Sequence, residues 1–198
     1  FKKLFLTYSI KKKYTFQVSD LRWFNTIFNN KTYFKNNQFT FLNITEKFED
    51  KIDWNFKKNG LLWCYNLNYF EYLNQNDINV NEGLELINDY IKNDFKNKVG
   101  KDSYPLSLRG LNIIKFVLSN NINNNCINNF LFKNYQFLSN NIEYHLLGNH
   151  ILENGFSLFF AGYYFNHKLF LDKSKKILKN ELDEQILRDG SHFELSTM

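Results

Sequence analysis

Residues 148–166 read GNHILENGFSLFFAGYYFN. Apolar side chains recur at Leu152, Phe156, Phe159 and Tyr163, three or four residues apart, and continue around most of a helical circumference. A segment of this kind is expected to form an inner helix. Gly155 and Gly162, seven residues apart, would let a neighbouring helix come close. The same spacing recurs upstream at Leu84, Ile87, Ile91 and Phe95 and at Leu111, Ile114 and Leu118, and downstream at Leu178, Leu182 and Ile186. Each set predicts one helix with one buried stripe. The connections are short and polar, so the chain is expected to be mainly all-α and folded as antiparallel helical hairpins.

The region before residue 80 reads differently. Ser19 is placed to cap a helix running to Asn29, short β pieces are expected near residues 38–57 around FTFLNITEKF and IDWNF, and an aromatic helix from about Asn66. This gives an N-terminal helical and basic segment over residues 1–37 and a helical domain over 38–198. With 43% hydrophobic and 19% aromatic residues the 198-residue chain can bury a core, which excludes disordered and disulfide-scaffold classes. The chain starts at Phe1 and ends at its single Met, Met198, and is expected to be a fragment of a longer protein.

The net charge of +5 resides in Lys2, Lys3, Lys11, Lys12 and Lys13, and the remainder of the chain is balanced. A terminal cluster without a basic stripe reads as a solvated tail, so no nucleic-acid partner is expected. The longest nearly uncharged apolar run, Gly155–Phe165, falls well short of the roughly 20 residues that span a bilayer, so no membrane span is expected. The opening FKKLFLTYSIKKK is not a signal peptide. Cys64 and Cys126 have no metal-ligand spacing, and His145 and His150 do not have a zinc spacing, so neither metal nor cofactor is expected. The frequent Asn residues, as in NNINNNCINN at 120–129, read as coding bias.

Four stretches can carry chemistry. In IEYHLLGNHILENGF, residues 142–156, Gly148 suits the end of one helix and Asn149 the cap of the next, but capping leaves His145, His150 and Glu153 gathered at one junction. Asn149 and Glu153 lie one helical turn apart. In EQILRDGSHFELSTM, residues 184–198, Asp189-Gly190 makes a turn after which His192 and Glu194 alternate with Phe193 and Leu195. In NGLLWCYNLNYFEYL, residues 59–73, Trp63, Tyr65, Tyr69 and Tyr72 supply core, or the flat faces on which a pyranose ring stacks. In SYPLSLRGLN, residues 103–112, Arg109 near a helix start could clamp a carboxylate or make a surface ion pair.

Taken in order, FTFLN, IDWNF, LWCYNLNYFEYL, YPLSLRGLN, EYHLLGNHILENGF and ELDEQILRDGSHFELSTM resemble the heparinase II/III family of polysaccharide lyases and its alginate-lyase relatives. The resemblance implies an incomplete (α/α) toroid, truncated before a C-terminal antiparallel β-sandwich that would be the missing partner from the same parent chain. It implies an acidic, uronate-containing polysaccharide as substrate and, by family habit, a periplasmic or secreted location. In the family an Asn-His pair at the start of an inner helix lies at the uronate carboxylate, and Asn149 and His150 occupy that motif. The expected roles are therefore catalytic for Asn149 and His150, with Arg109, Tyr65, Glu153, His192 and Glu194 in substrate binding. Relatives carry a proton-donating Tyr just after the stretch matching ELSTM, and Thr197 stands where they commonly have Pro. The isolated chain is accordingly expected to be inactive.

The chemistry explains the residue types. β-Elimination removes the proton on C5 of a uronate and expels the C4 oxygen, and C5 becomes acidic only when the adjacent carboxylate is neutralised. Asn149 would neutralise it, with His150 neutralising or acting as base. Two other classes remain open: a toroid glycoside hydrolase using Glu153, Asp189 or Glu194 as its carboxylate pair, and a non-catalytic glycan-binding or assembly protein of surface-polysaccharide metabolism.

Overall fold

A computed structural model describes residues 16–24, 27–146 and 148–193. Within them the chain forms a three-stranded antiparallel sheet, β1 (Tyr33–Phe34), β2 (Gln38–Phe41) and β3 (Ile44–Lys47), followed by α1 (Leu61–Tyr69), α2 (Val80–Asn93), α3 (Ser103–Ser119), α4 (Asn125–Asn140), α5 (Asn149–Tyr164) and α6 (Lys168–Gln185). The fold is mainly helical, as the periodicity predicts, and consistent with part of an all-α toroid. No described helix is long and apolar enough to cross a membrane.

The expected hairpin at FTFLNITEKF is present, with Gln38 opposite Lys47 and Phe41 opposite Ile44. Its two-residue turn, Leu42-Asn43, has both residues at positive φ, the geometry that matches the twist of paired strands. Phe39 and Phe41 point inward onto Trp63 and Tyr72. IDWNF is not a strand. Asp53 accepts a hydrogen bond from the Asn55 amide at 3.0 Å and the chain turns, which drives Trp54 into the core against Phe70 and lets its indole N–H donate to Asp89 at 2.8 Å. The aromatic helix begins at Leu61, earlier than expected, and ends at Tyr69 because Phe70 adopts a left-handed conformation.

The helix expected from Ser19 is absent from the described residues between 16 and 29. Ser19 caps the far end of another helix instead: its amide donates to Tyr164 O at 2.8 Å and its hydroxyl to Tyr163 O at 2.6 Å, meeting carbonyls that the last turn of α5 cannot satisfy itself. Residues 16–24 thus form an irregular strap, with Phe16 on Phe132 and Phe165 and Trp23 on Phe160. The basic cluster at residues 1–13 lies outside the described residues.

Helix α5 is central, held between α3 and α6. The face it buries is not the predicted stripe. Phe156 and Tyr163 are 38% and 46% exposed, whereas Ile151, Asn154, Gly155, Ser157, Leu158, Ala161 and Gly162 are buried. Close packing of helix backbones admits small side chains and excludes large ones, so the aromatic face turns outward. Phe95, Leu182 and Ile186 are likewise exposed, and in α2 the buried face is Gly83, Leu86, Ile87 and Tyr90. The glycines act as the sequence suggests. A Cβ on Gly162 would stand 2.6 Å from Leu171 Cγ and 2.9 Å from the Leu171 backbone nitrogen, and one on Gly155 would stand 2.9 Å from Ile177 Cγ2.

Polar groups on the other side of α5 are paired. Asn154 Nδ2 donates to Ser107 Oγ at 3.1 Å, Ser157 Oγ donates to Ser107 O at 2.7 Å, and the Tyr135 hydroxyl from α4 meets Ser157 Oγ at 3.1 Å. Gly162→Ala is expected to cost about 1–3 kcal/mol through overpacking, because one of the obstructing atoms, the Leu171 nitrogen, is backbone and cannot rotate away. Urea denaturation followed by circular dichroism measures it, and an unchanged midpoint would contradict the α5–α6 contact.

Candidate functional site

The junction between α4 and α5 is built around Gly148. Its φ of 60° and ψ of −143° suit glycine alone, and it occupies the N-cap position expected of Asn149. Asn149 is therefore the first residue of α5, half-buried, with His150 beside it. Neither is walled into the interior.

His150 is fixed from two sides. Its ring packs on Tyr104, in the first turn of α3, with centroids 4.5 Å apart, and its Nδ1 lies 3.3 Å from Glu143 Oε2. From Tyr104 a row of aromatic rings continues to Tyr69 at 5.9 Å and from Tyr69 to Tyr65 at 6.4 Å, the last two nearly parallel at 8°. Tyr65 and Tyr69 are one turn apart on α1 and half-buried, whereas Trp63 and Tyr72 are core. The Tyr65 hydroxyl donates to Asp102 Oδ2 at 3.0 Å, and burial together with that carboxylate pushes its pKa up to about 12. Tyr65 is thus a neutral donor in the working pH range.

Glu153, one turn beyond Asn149, is half-buried, and its Oε1 has no hydrogen-bond partner among the described residues. Burial raises its pKa, Lys115 on α3 works against the rise and Glu71 adds to it. Glu71 is itself raised, chiefly by desolvation. Lys115 is lowered by burial despite the two acids, and its ammonium lies 5.4 Å from the centre of the Trp23 ring on the strap. Tyr104 is raised by burial, then by Glu153, Glu71 and Glu143. These acids, Lys115, Tyr104 and His150 form one interacting group.

Three other expected residues sit elsewhere. Arg109 is 1% exposed, with its guanidinium 4.7 Å from the centre of the Tyr90 ring and Nη1 donating to Asn68 O at 3.5 Å. It is an interior residue, neither a surface ion pair nor an open clamp. His192 belongs behind the junction: its Nε2 meets Gln185 Oε1 at 3.0 Å, and Gln185 Nε2 donates to Gly148 O at 2.9 Å. The two stretches GNH and DGSH are therefore joined through Gln185. Asp189 serves the turn, accepting from the Ser191 amide and hydroxyl, which hold its carboxyl below the ordinary value. Glu194 lies outside the described residues.

His145 is exposed, and no group of three His, Cys, Asp or Glu able to hold a metal occurs among the described residues. A separate cavity between the sheet and α2 is lined by Asp50, Glu82, Glu85 and Asp89 and contains none of the junction residues. Its acids suit it poorly to an acidic glycan.

Sequence reasoning missed Tyr104, Glu143, Lys115 and Glu71. Tyr104 lay inside a quoted motif, one residue before the single Pro. Glu143 lies in a loop, and no periodicity connects it to His150.

The junction thus brings an Asn-His pair, a row of tyrosines and desolvated acids onto one polar aromatic face of a helical domain. Residues 108–198 match the family described as Heparinase II/III N-terminus, a match that supports a heparinase II/III family N-terminal fragment. The match takes in Lys115, Glu143, Asn149, His150, Glu153 and His192, while Tyr65, Tyr69 and Tyr104 precede it. No curated protein and no solved structure matches the chain.

The raised Glu153 has a consequence for stability. A carboxyl whose folded pKa lies above its unfolded value makes the folded state the better proton binder, so stability falls as pH rises from the ordinary carboxylate value of about 4.3 through the raised one. Glu153→Gln is uncharged throughout. The urea midpoint of the variant relative to the parent is expected to increase between about pH 4 and pH 7, and a constant difference would contradict the desolvation.

Proposed function

We propose that this chain supplies the carboxylate-handling and sugar-stacking part of a lyase that cleaves uronate-containing polysaccharides by β-elimination. The observation that carries the reading is the position of His150 beside Asn149 at the start of α5, with its ring against Tyr104 at the end of the row formed with Tyr69 and Tyr65. The row offers faces for successive sugar rings and the helix start offers neutralisation for an acid.

The physical case is as follows. The first amides of a 16-residue helix have no partners within the helix, and its dipole favours negative charge there. A uronate carboxylate at this point would receive the Asn149 amide as a donor, joined by the imidazole once the ring has taken up a proton, and these hold the enolate-like charge more tightly as it develops than they hold the ground state. With that charge taken up, C5 gives its proton to a base and the C4 oxygen leaves with a proton from an acid. Glu153, protonated more readily than an ordinary Glu, adds less repulsion to an acidic substrate than an ordinary Glu would. Arg109 has no part in this account.

A raised Glu153 near Glu71 is also what an acid-assisted hydrolase would use, so the product decides between the reactions. Elimination leaves an unsaturated uronate that absorbs in the ultraviolet, whereas hydrolysis leaves a saturated sugar. Incubating the full-length protein with heparan-like, alginate-like and capsular uronate glycans is expected to raise ultraviolet absorbance. Asn149→Ala and His150→Ala are each expected to lower kcat about 10²–10³-fold, the loss typical of removing one donor to developing charge, with smaller changes in KM. Saturated products, binding without turnover, or variants at full kcat would overturn the proposal.

A further inference from the structure

The residue that holds His150 in place lies in the same 142–156 stretch but outside the Asn149-His150 pair. Glu143 lies in the loop between α4 and α5, among exposed neighbours Tyr144, His145 and Leu146, yet it is only 8% exposed. A loop carboxylate gives up its hydration only where the surrounding structure holds it, and here several contacts do so. Its own amide donates to Asn154 Oδ1 at 3.2 Å, and Asn154, fully buried on α5, donates in turn to Ser107 Oγ at 3.1 Å on α3. Its carbonyl accepts from the Leu146 amide at 2.9 Å, closing a turn. At the start of the loop Ser103 Oγ donates to Asn141 O at 2.5 Å, tying the same loop to the first turn of α3. The backbone of Glu143 is thus anchored to both helices that frame His150, and its carboxylate is turned toward Nδ1.

We propose that Glu143 is the positioning residue of His150, selecting the imidazole tautomer that carries its proton on Nδ1 and leaving Nε2 as the atom that faces substrate. This rests on the lyase reading only for its consequence in catalysis. An ionised carboxylate can accept hydrogen bonds but cannot donate them, so a neutral ring 3.3 Å away is stabilised only with Nδ1 protonated. Tyr104 restrains the ring from the other side. With Nδ1 committed to Glu143, Nε2 has a lone pair available for the C5 proton and, once protonated, becomes a donor to a carboxylate. The same atom would serve either role expected of His150. Without Glu143 a neutral histidine could present N–H or lone pair at Nε2, and only one of these accepts a proton.

The test reads the tautomer directly. Protein labelled with 15N is examined at pH 8, where an ordinary imidazole is neutral, by long-range proton–nitrogen correlation of the His150 ring. The wild type is expected to show a protonated Nδ1 and an unprotonated Nε2, and Glu143→Ala is expected to move the ring toward the Nε2-protonated form. A wild-type ring already protonated on Nε2 overturns the proposal, as does an Ala variant with an unchanged pattern. Should the Ala variant fail to fold, the wild-type spectrum still decides. Glu143→Ala is further expected to lower kcat about 10–100-fold while changing KM less, in line with the loss of other residues that orient a reacting group. A protein with no turnover on any uronate glycan would remove the lyase reading and leave the tautomer result standing, so the two failures are distinguishable.

Discussion

The rest of the structure depends on how closely α5 is allowed to approach its neighbours. On the α6 side, hydrogen atoms at Gly155 and Gly162 leave room for Ile177 and Leu171, where any larger side chain would meet atoms under 3 Å away. On the α3 side, contact is made by short polar groups, Ser107, Asn154 and Ser157, which bond one another at 2.7–3.1 Å. A buried amide or hydroxyl without a partner costs roughly 1–3 kcal/mol, so the α3–α5 pairing tolerates few alternative registers. That restriction puts Tyr104 and His150 opposite each other. A residue pair at a helix start keeps its place only if the helix cannot slide, and here sliding by even one residue would orphan several buried groups.

Periodicity located every helix after residue 80 except α4, and its stripes include the buried Ile87 of α2 and Ile114 of α3, but it misjudged the face of α5. An apolar count treats Phe156 and Tyr163 as the best candidates for burial, while packing chose Asn154, Ser157 and Ala161. The reason is steric: the interior between close helices rewards small volume and satisfied polarity, and neither is visible in hydropathy. The junction at 148–150 was legible because Gly148, Asn149 and His150 are unusual together. Its supports were not, since Lys115 comes from another helix, and Glu143, although only seven residues before His150, is turned onto the ring by the fold of its loop. Ser19 shows the same limit, because a capping residue can serve a helix more than a hundred residues away.

The asparagines, which the composition alone suggests are incidental, are put to specific use. Among the described residues, five of the seven non-glycine residues at positive φ are Asn, at positions 36, 37, 43, 121 and 166, where the short amide side chain tolerates the left-handed region. Asn79 and Asn124 cap α2 and α4 by accepting two backbone amides each. Others form the buried polar core: Asn97 donates to Asn68 Oδ1 at 2.7 Å and to the Tyr90 hydroxyl at 2.8 Å, beside the enclosed Arg109. Coding bias can explain why Asn is available in this chain, but the positions follow from geometry.

The Gln185 side chain joins the last turn of α6 to the first of α5, donating from its nitrogen to Gly148 O and accepting at its oxygen from His192. The two ends of an amide are not equivalent, so this clasp has a polarity. Replacing its NH2 by an oxygen, as glutamate would, sets a negative group against the Gly148 carbonyl, and the repulsion would fall on a residue whose backbone angles no other amino acid accepts readily. The chain segment beyond α6 is therefore in mechanical register with the turn that presents Asn149 and His150, and a pull on one is felt by the other through a single side chain.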